Sequence, residues 1–317
     1  VAIDAGANGK VNLDTATVDV SRQGGPAGNI TMSAQEIAVA NSKLLASGSN
    51  GKGGTIILSA NPTNKLSQVT VEDSTIDVSA NNFSSVASAT SNTDSKGGTT
   101  ILSGSRVALL GNSTIDASGT NGGGAVIIGG DQLGKVGSLI PVPLANQTYI
   151  GSNANILIGS SAGDGGFVET SGQTLTMLGN VKGSSKGKNG EWLIDPTDIT
   201  INALASTNVT NTSNVWAGAG TNTTGNVLNT SIINALATGT NVTVTTVSSG
   251  TAGGNLTVAA DLVVTNPSNS TLTLFANQTL TFSGVNVCAT GTGSLGLNAT
   301  ADRKSTRLNS SHRCLSR

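Results

Sequence analysis

Short alternations of apolar and polar residues recur along the chain, each followed by a bend rich in glycine. Residues 74–80 read STIDVSA, 113–119 STIDASG and 17–21 TVDVS. A second element follows each bend: GKGGTIILSA at 51–60, SKGGTTILSG at 95–104 and NGGGAVIIGG at 121–130, with weaker copies AGNITMSA at 27–34, DGGFVETSG at 164–172 and NGEWLIDP at 189–196. Successive side chains of a strand point to opposite faces. The alternation therefore predicts inward pairs Val18/Val20, Ile76/Val78 and Ile115/Ala117, with Asp19, Asp77 and Asp116 outward between them. Aligning the glycines puts Ile56/Leu58, Val126/Ile128 and Trp192/Ile194 in one inward register of the second strand. The unit is a short strand, a glycine corner and a second short strand. The corners are Gly53 and Gly54, Gly97 and Gly98, Gly122 to Gly124, and Gly165 and Gly166. Glycine is expected there because a corner calls for positive φ, which costs glycine little.

A unit that buries one face cannot stand alone, but stacked units share a continuous core, as solenoids do. Aligned units lie about 24 to 44 residues apart, so some carry insertions or span two coils. Beyond residue 202 the texture becomes Asn/Thr-rich and the KGG corner disappears. The strands expected there are NVTVTTV (241–247), NLTVAADLVV (255–264), STLTLFA (270–276) and QTLTFSGVNV (278–287). SIINALA (231–237) reads as one or two helical turns capped by Thr230 or Ser231. Three segments follow: 1–201 with KGG-type corners, 202–301 as a continuation of the same solenoid, and 302–317.

Composition agrees with an all-β chain of many corners. Of 317 residues, 42 are glycine, aromatics make up 2 % and charged residues 10 %, against roughly 25 % charged in ordinary globular chains. Hydrophobic residues at 36 % suffice for a core and argue against disorder. Residues 302–317, DRKSTRLNSSHRCLSR, break the pattern. DRKSTRLNSSH resembles the in-frame translation of a sequencing adapter, and the tail reads as foreign to the protein. It carries five of sixteen basic residues, one of seventeen acidic ones and the only histidine, so the remainder has eleven against sixteen and a net charge of −5. That balance, with no basic cluster outside the tail, argues against nucleic-acid binding. Without the tail the commonest general base and metal ligand is gone, and Cys288 stands as a solitary cysteine. No apolar run is long enough for a membrane-spanning helix. The chain opens inside an apparent strand, IDAGANGKVNL, and reads as an internal fragment.

Several blocks occur in a suggestive order: GGGAVIIGGD (122–131), TYIG (148–151), GGFVETSGQTLTMLGNV (165–181), GEWLIDPTDITI (190–201), then SIINALATGTNVTVTT (231–246) and GGNLTV (253–258). Across about residues 1–300 this succession resembles the filamentous haemagglutinin family, the exported adhesins of two-partner secretion systems. The resemblance implies a right-handed parallel β-helix on the surface of a Gram-negative bacterium or secreted from it. It also implies an outer-membrane transporter as partner during export, and a host surface glycan or protein as ligand. The family's amino-terminal secretion domain has no counterpart here; Asn61-Pro62 and Asn266-Pro267 stand in other contexts.

Candidate chemistry is sparse. GTGSLG (291–296) has the GxGxxG spacing, but no helical pattern follows to receive a phosphate. GSSKGKNG (183–190) has Asn189 where a P-loop needs Ser or Thr. Both read as corners. Asp195 and Asp198 of DPTD, three residues apart, invite a glycosidase or lyase reading but fit a Pro-containing turn at a strand end better; Asp164 and Glu169 are the further carboxylates such a groove could use. Such an enzyme would need two of them to converge with a Lys or Arg in one groove, and Arg22 and Arg106 are the only arginines before the tail. A row of Asp19, Asp77 and Asp116 on successive rungs offers oxygen ligands for Ca²⁺, yet caps on the adjacent corner use the same geometry. Trp192, Trp216 and Tyr149 could stack on sugars; Trp192 reads as core, and Trp216 is the better candidate for an exposed contact. The resemblance leaves a haem- or haemopexin-acquisition exoprotein as an alternative, but direct haem ligation is disfavoured, with no histidine before the tail and with Met32 and Met177 in strands. No catalytic residue, cofactor or metal is assigned. The expected function is a non-enzymatic adhesin, this piece forming part of its shaft. A coil of about 20 residues would give about 15 rungs and roughly 70 Å of length.

Overall fold

The computed structural model describes residues 1–61, 64–81, 94–135, 139–204, 209–212, 215–218, 224–246, 253–301 and 304–305. The chain winds into a parallel β-helix. Its first face is a ten-stranded parallel sheet running from Ala2–Asp4 through Asn29–Ala34, Thr55–Ala60, Thr99–Ser103, Ala125–Ile128, Phe167–Gly172, Gly190–Pro196, Thr240–Thr245 and Ser270–Ala276 to Leu295–Ala301. A second face holds eleven strands, from Lys10–Asp14 to Lys304–Ser305. The third face has six short strands, from Thr17–Asp19 to Asn180–Lys182. A short fourth side of three two-residue strands (Arg22–Gln23, Gly48–Ser49 and Ala80–Asn81) continues as single bridges at Gly119, Ser160 and Ser185. Both long sheets run through the Asn/Thr-rich region without a break, so segments 1–201 and 202–301 share one solenoid. Lys304–Ser305, inside the tail read as foreign, pairs with Thr279 and Leu280; residues 306–317 lie outside the described part.

Coils are longer than the 20 residues expected. Phe167 pairs with Glu191, 24 residues on, and Val242 with Leu272, 30 residues on. Ten rungs on the first face, at about 4.8 Å each, extend roughly 43 Å, well short of 70 Å. Four sides need more residues than the shorter solenoid repeats, and three coils carry insertions: Thr55 pairs with Thr99, Ala125 with Phe167 and Glu191 with Asn241.

Inward side chains form one continuous core. Ile56, Leu58, Ile76, Val78, Ile115, Ala117, Val126, Ile128, Trp192 and Ile194 are buried in it, while Val18 and Val20, near its amino-terminal end, are half-buried against it. The Trp192 indole Nε1 donates to Thr170 Oγ1 at 3.0 Å, satisfying its one polar group inside the core. Each fully buried aliphatic side chain contributes about 1.5–3 kcal/mol, and only stacked rungs shelter them.

The glycine corners have a different cause from the one expected. None of the nine corner glycines has positive φ. Gly54, Gly98, Gly124 and Gly166 instead stack rung on rung, and a Cβ on each would lie 1.9–2.1 Å from the carbonyl oxygen of the glycine one rung before. The same residues close the coil: Gly98 N donates to Val78 O at 2.7 Å and Gly124 N to Ala117 O at 2.7 Å. The backbone of one coil occupies the space a side chain would need. Positive φ falls at another corner, between the second and third faces, at Thr15, Asn41, Asp73 and Gly111. A hydroxyl ladder stacks there: Ala16 N donates to Ser42 Oγ, Ser42 N to Ser74 Oγ and Ser74 N to Ser113 Oγ, at 2.9–3.2 Å.

The helix spans Asn229–Ala237 and follows directly from the strand Thr224–Leu228. It starts before the expected Thr230 or Ser231, and no side chain caps it. Ile232, Ala235 and Leu236 enter the core. On the third face it lies between Asn180–Lys182 and Leu262–Thr265, taking the place of a strand. Among the described residues no helix is long and apolar enough to cross a membrane.

Gly98→Ala should lower unfolding free energy by about 2–3 kcal/mol, because its Cβ meets fixed backbone. Gly122→Ala, whose Cβ meets only the flexible Lys96 side chain at 3.3 Å, should change it by less than about 0.5 kcal/mol. Urea denaturation of the two variants checks the contrast.

Candidate functional site

The strongest polar anomaly is on the outer side of the first face. Consecutive apolar residues in TIIL, TTIL and AVII mean that both faces of these strands are covered. Ile57, Ile101 and Ile127 form a second, outer cluster, against which Ile140, Val142 and Phe167 pack. One rung on, the outward position belongs to Glu169, paired with Ile127 on one side and Leu193 on the other. Two residues further, Ser171 pairs with Asp195. Glu169 is fully buried and Asp195 is 2 % exposed.

Residues 131–135 help to hold Glu169. Glu169 Oε1 accepts the Gln132 N–H at 2.7 Å and the Ser171 hydroxyl at 2.9 Å. Glu169 Oε2 and Asp195 Oδ1 are buried without a hydrogen-bond partner. Burial is the main force raising the Glu169 pKa, with Asp131 adding to it, against hydrogen bonds from Gln132, Leu133 and Ser171. Asp195 is pushed up to about 7, first by burial and then by the charge on Glu169. Lys135 Nζ sits 5.2 Å from the centre of the Phe167 ring, a cation–π contact, and forms no ion pair with either carboxylate. The only ion pair among the described residues is Lys10–Glu36, far down the second face.

The four carboxylates singled out in the sequence therefore separate. Glu169 and Asp195 converge. Asp198 lies past the Thr197 corner and accepts Asn255 N–H at 2.6 Å. Asp164 lies on the glycine corner and accepts Lys188 N–H at 2.8 Å. A groove of about 460 Å³ follows that corner, lined by Lys52, Lys96, Asp164, Phe167, Lys188 and Glu191. Its glycine amides are already used between rungs, as in Gly97 N to Gly122 O and Gly123 N to Asp164 O. The corner therefore offers a ligand side chains and no free amide cradle.

The proposed acidic row is interrupted. Leu45 lies between Asp19 and Asp77, and Leu157 follows Asp116. Each of the three aspartates accepts the N–H of the serine two residues on, at 2.8 Å. They are corner caps. Among the described residues no three His, Cys, Asp or Glu gather where a metal would sit. The GTGSLG stretch bends at Gly291 and Gly293, both of positive φ, and leads into a strand. Tyr149 is half-buried on the second face. Trp216 lies in the strand Val215–Gly218, and its side chain is outside the described part. Cys288 is disulfide-bonded and not the solitary thiol expected; the chain's other cysteine, Cys314, lies outside the described residues. Fold and site together define a parallel β-solenoid with a buried carboxyl pair. No family model matches the chain, and no curated protein matches it significantly.

Because the folded-state pKa of Asp195 is raised above its unfolded value, its stability contribution is full below about pH 4 and is lost as pH rises towards 7. Asp195→Asn removes that loss. The variant should be more stable than the parent at pH 8, by up to about 4 kcal/mol for a shift of roughly three units. The gap should close as pH falls from 7 to 4, which melting across that range measures.

Proposed function

We propose that the chain is a non-enzymatic rod segment of a secreted or surface-exposed bacterial adhesin, exported through an outer-membrane transporter of a two-partner system. Its surface would attach to a host glycan or protein, or to other bacteria. The observation that carries this reading is the unbroken stack of ten parallel rungs on one face over a core of aliphatic side chains. Such a stack provides length and stiffness, and a rod gathers many weak contacts into useful avidity. The ordered blocks from GGGAVIIGGD to GGNLTV supply the family context.

The competing reading is a β-helix polysaccharide lyase or hydrolase. It needs an accessible acid and base beside a cation, at a separation that admits a sugar. Glu169 and Asp195 are shut away from solvent and, among the described residues, have no ion-paired lysine or arginine, which favours the adhesive reading. Haem capture is likewise disfavoured, since Met32 and Met177 are both buried in the core.

Purified protein incubated with an acidic polysaccharide should release no shortened or unsaturated chains, while labelled protein binds host cells or bacterial surfaces saturably. Depolymerisation abolished by Asp195→Asn would replace the adhesin with the enzyme reading. Absence of both activities would sink the proposal for this segment.

A further inference from the structure

Strand order on the second face follows the chain from Lys10–Asp14 to Thr174–Met177 and then reverses once. Thr224–Leu228 lies between Thr174–Met177 and Asp198–Asn202, although it comes after both in the chain. Asn226 pairs with Thr176 on one side and Thr200 on the other; Val227 pairs with Met177 and Ile201. The later strand is wedged under the earlier one, and among the described residues this is the only place where either long sheet departs from chain order.

Asp198–Asn202 is built to fit the lower slot as well. Ile199 and Ile201 point into the core in the same phase as Leu175 and Met177. A slip of one rung, about 4.8 Å, would pair Thr200 with Thr176 and Ile201 with Met177, leaving every inward side chain inward. Until Thr224–Leu228 arrives, that slip is also the only way to pair the upper backbone groups of Thr174–Met177, and buried unpaired groups are costly. The final occupant is the poorer apolar partner. Gly225 stands between Ile199 and the rung below, and a Cβ there would approach Leu175 O at 3.0 Å and Asp198 O at 3.1 Å.

What favours the wedged arrangement is the element that follows. The helix Asn229–Ala237 buries Ile232, Ala235 and Leu236. A helix about 10 Å across is as wide as two strands; it lies between Asn180–Lys182 and Leu262–Thr265 on the third face, where the second face holds its extra strand. Helix and wedged strand are geometrically coupled. We propose that Asp198–Asn202 first pairs directly with Thr174–Met177 and is displaced one rung when Thr224–Leu228 and the helix dock, a strand exchange built into the fold. The next second-face strand, Leu256–Val258, pairs with Asp198–Asn202 in its displaced position, so the rungs beyond depend on the exchange being complete.

Paired cysteines read the two arrangements in the full chain, with Cys288→Ser and Cys314→Ser removing the others. Thr176 and Thr200 lie two rungs apart in the folded chain, about 9.6 Å, beyond disulfide reach. In the early pairing they are neighbours. Refolding Thr176→Cys/Thr200→Cys from denaturant, with a pulse of oxidant at increasing delays, should give a cross-link that is highest early and falls several-fold by completion. Thr176→Cys/Asn226→Cys should show the reverse time course. Adding Ile232→Ala and Leu236→Ala, which weakens helix docking, should raise the 176–200 cross-link at equilibrium. The proposal is overturned if 176–200 never exceeds its fully folded level while 176–226 forms. It is also overturned if 176–226 forms first, or if weakening the helix leaves the ratio unchanged.

Discussion

The structure depends on the contact of one coil's backbone with the next. Parallel rungs sit about 4.8 Å apart, and wherever two coils must also turn together no room remains between them. The column Gly54, Gly98, Gly124 and Gly166 shows this most plainly, since each glycine's missing Cβ is replaced by the preceding rung's carbonyl. A single side chain there would pry rungs apart on every face at once. The other corner meets the same spacing differently, with hydroxyls of Ser42, Ser74 and Ser113 reaching between coils to meet amides that strands cannot. Backbone stacking thus selects residue types at corners, while the core selects only apolar parity along strands.

This division explains what the sequence revealed. Inward pairs such as Ile76/Val78 and Val126/Ile128 were legible because strand periodicity is a local property. Glycine positions were legible too, but their reason was not. Chain sequence does not say which other coil will lie against Gly98, so a conformational reading stood in for a steric one. Coil length was misjudged for a related cause: a repeat shows its strands but hides the number of sides its cross-section needs. Outward aspartates in DVS and DAS offered either a metal row or corner caps; pairing places Leu45 between two of them, and each caps its own corner.

Glu169 and Asp195 mark a further limit. Each stands at a position where alternation predicts a solvated side chain. The hint of burial lay in neighbouring rungs, where Ile57, Ile101 and Ile127 are apolar on the outward side. An outer cover over these strands brings two carboxyls into low dielectric, and proximity then couples them. Their raised pKa values follow first from burial, to which the charge of Asp131 adds for Glu169 and that of Glu169 for Asp195, not from any motif around DPTD. A buried carboxyl of this kind makes the folded state prefer acid, the opposite of the exposed Asp4 and Asp19, whose pKa values are lowered chiefly by backbone N–H donors.

The reversal at Thr224–Leu228 was beyond local reading for a stronger reason. TGNVL and DITIN are both plausible strands of the second face, and nothing within either states their order in the sheet. Order is decided by what the following residues can bury. NTSIINALA is long enough for a helix whose apolar side fits the core, and its width demands a compensating strand. A small local preference, helix over strand for nine residues, is converted by rigid rung spacing into a rearrangement of the neighbouring face. Stacked backbones permit few adjustments: a coil can carry an insertion, as those between Thr55 and Thr99 and between Ala125 and Phe167 do, or it can make room for a whole extra strand. Between Asn180–Lys182 and Leu262–Thr265 the chain takes the second course, and the wedged strand is the geometric consequence.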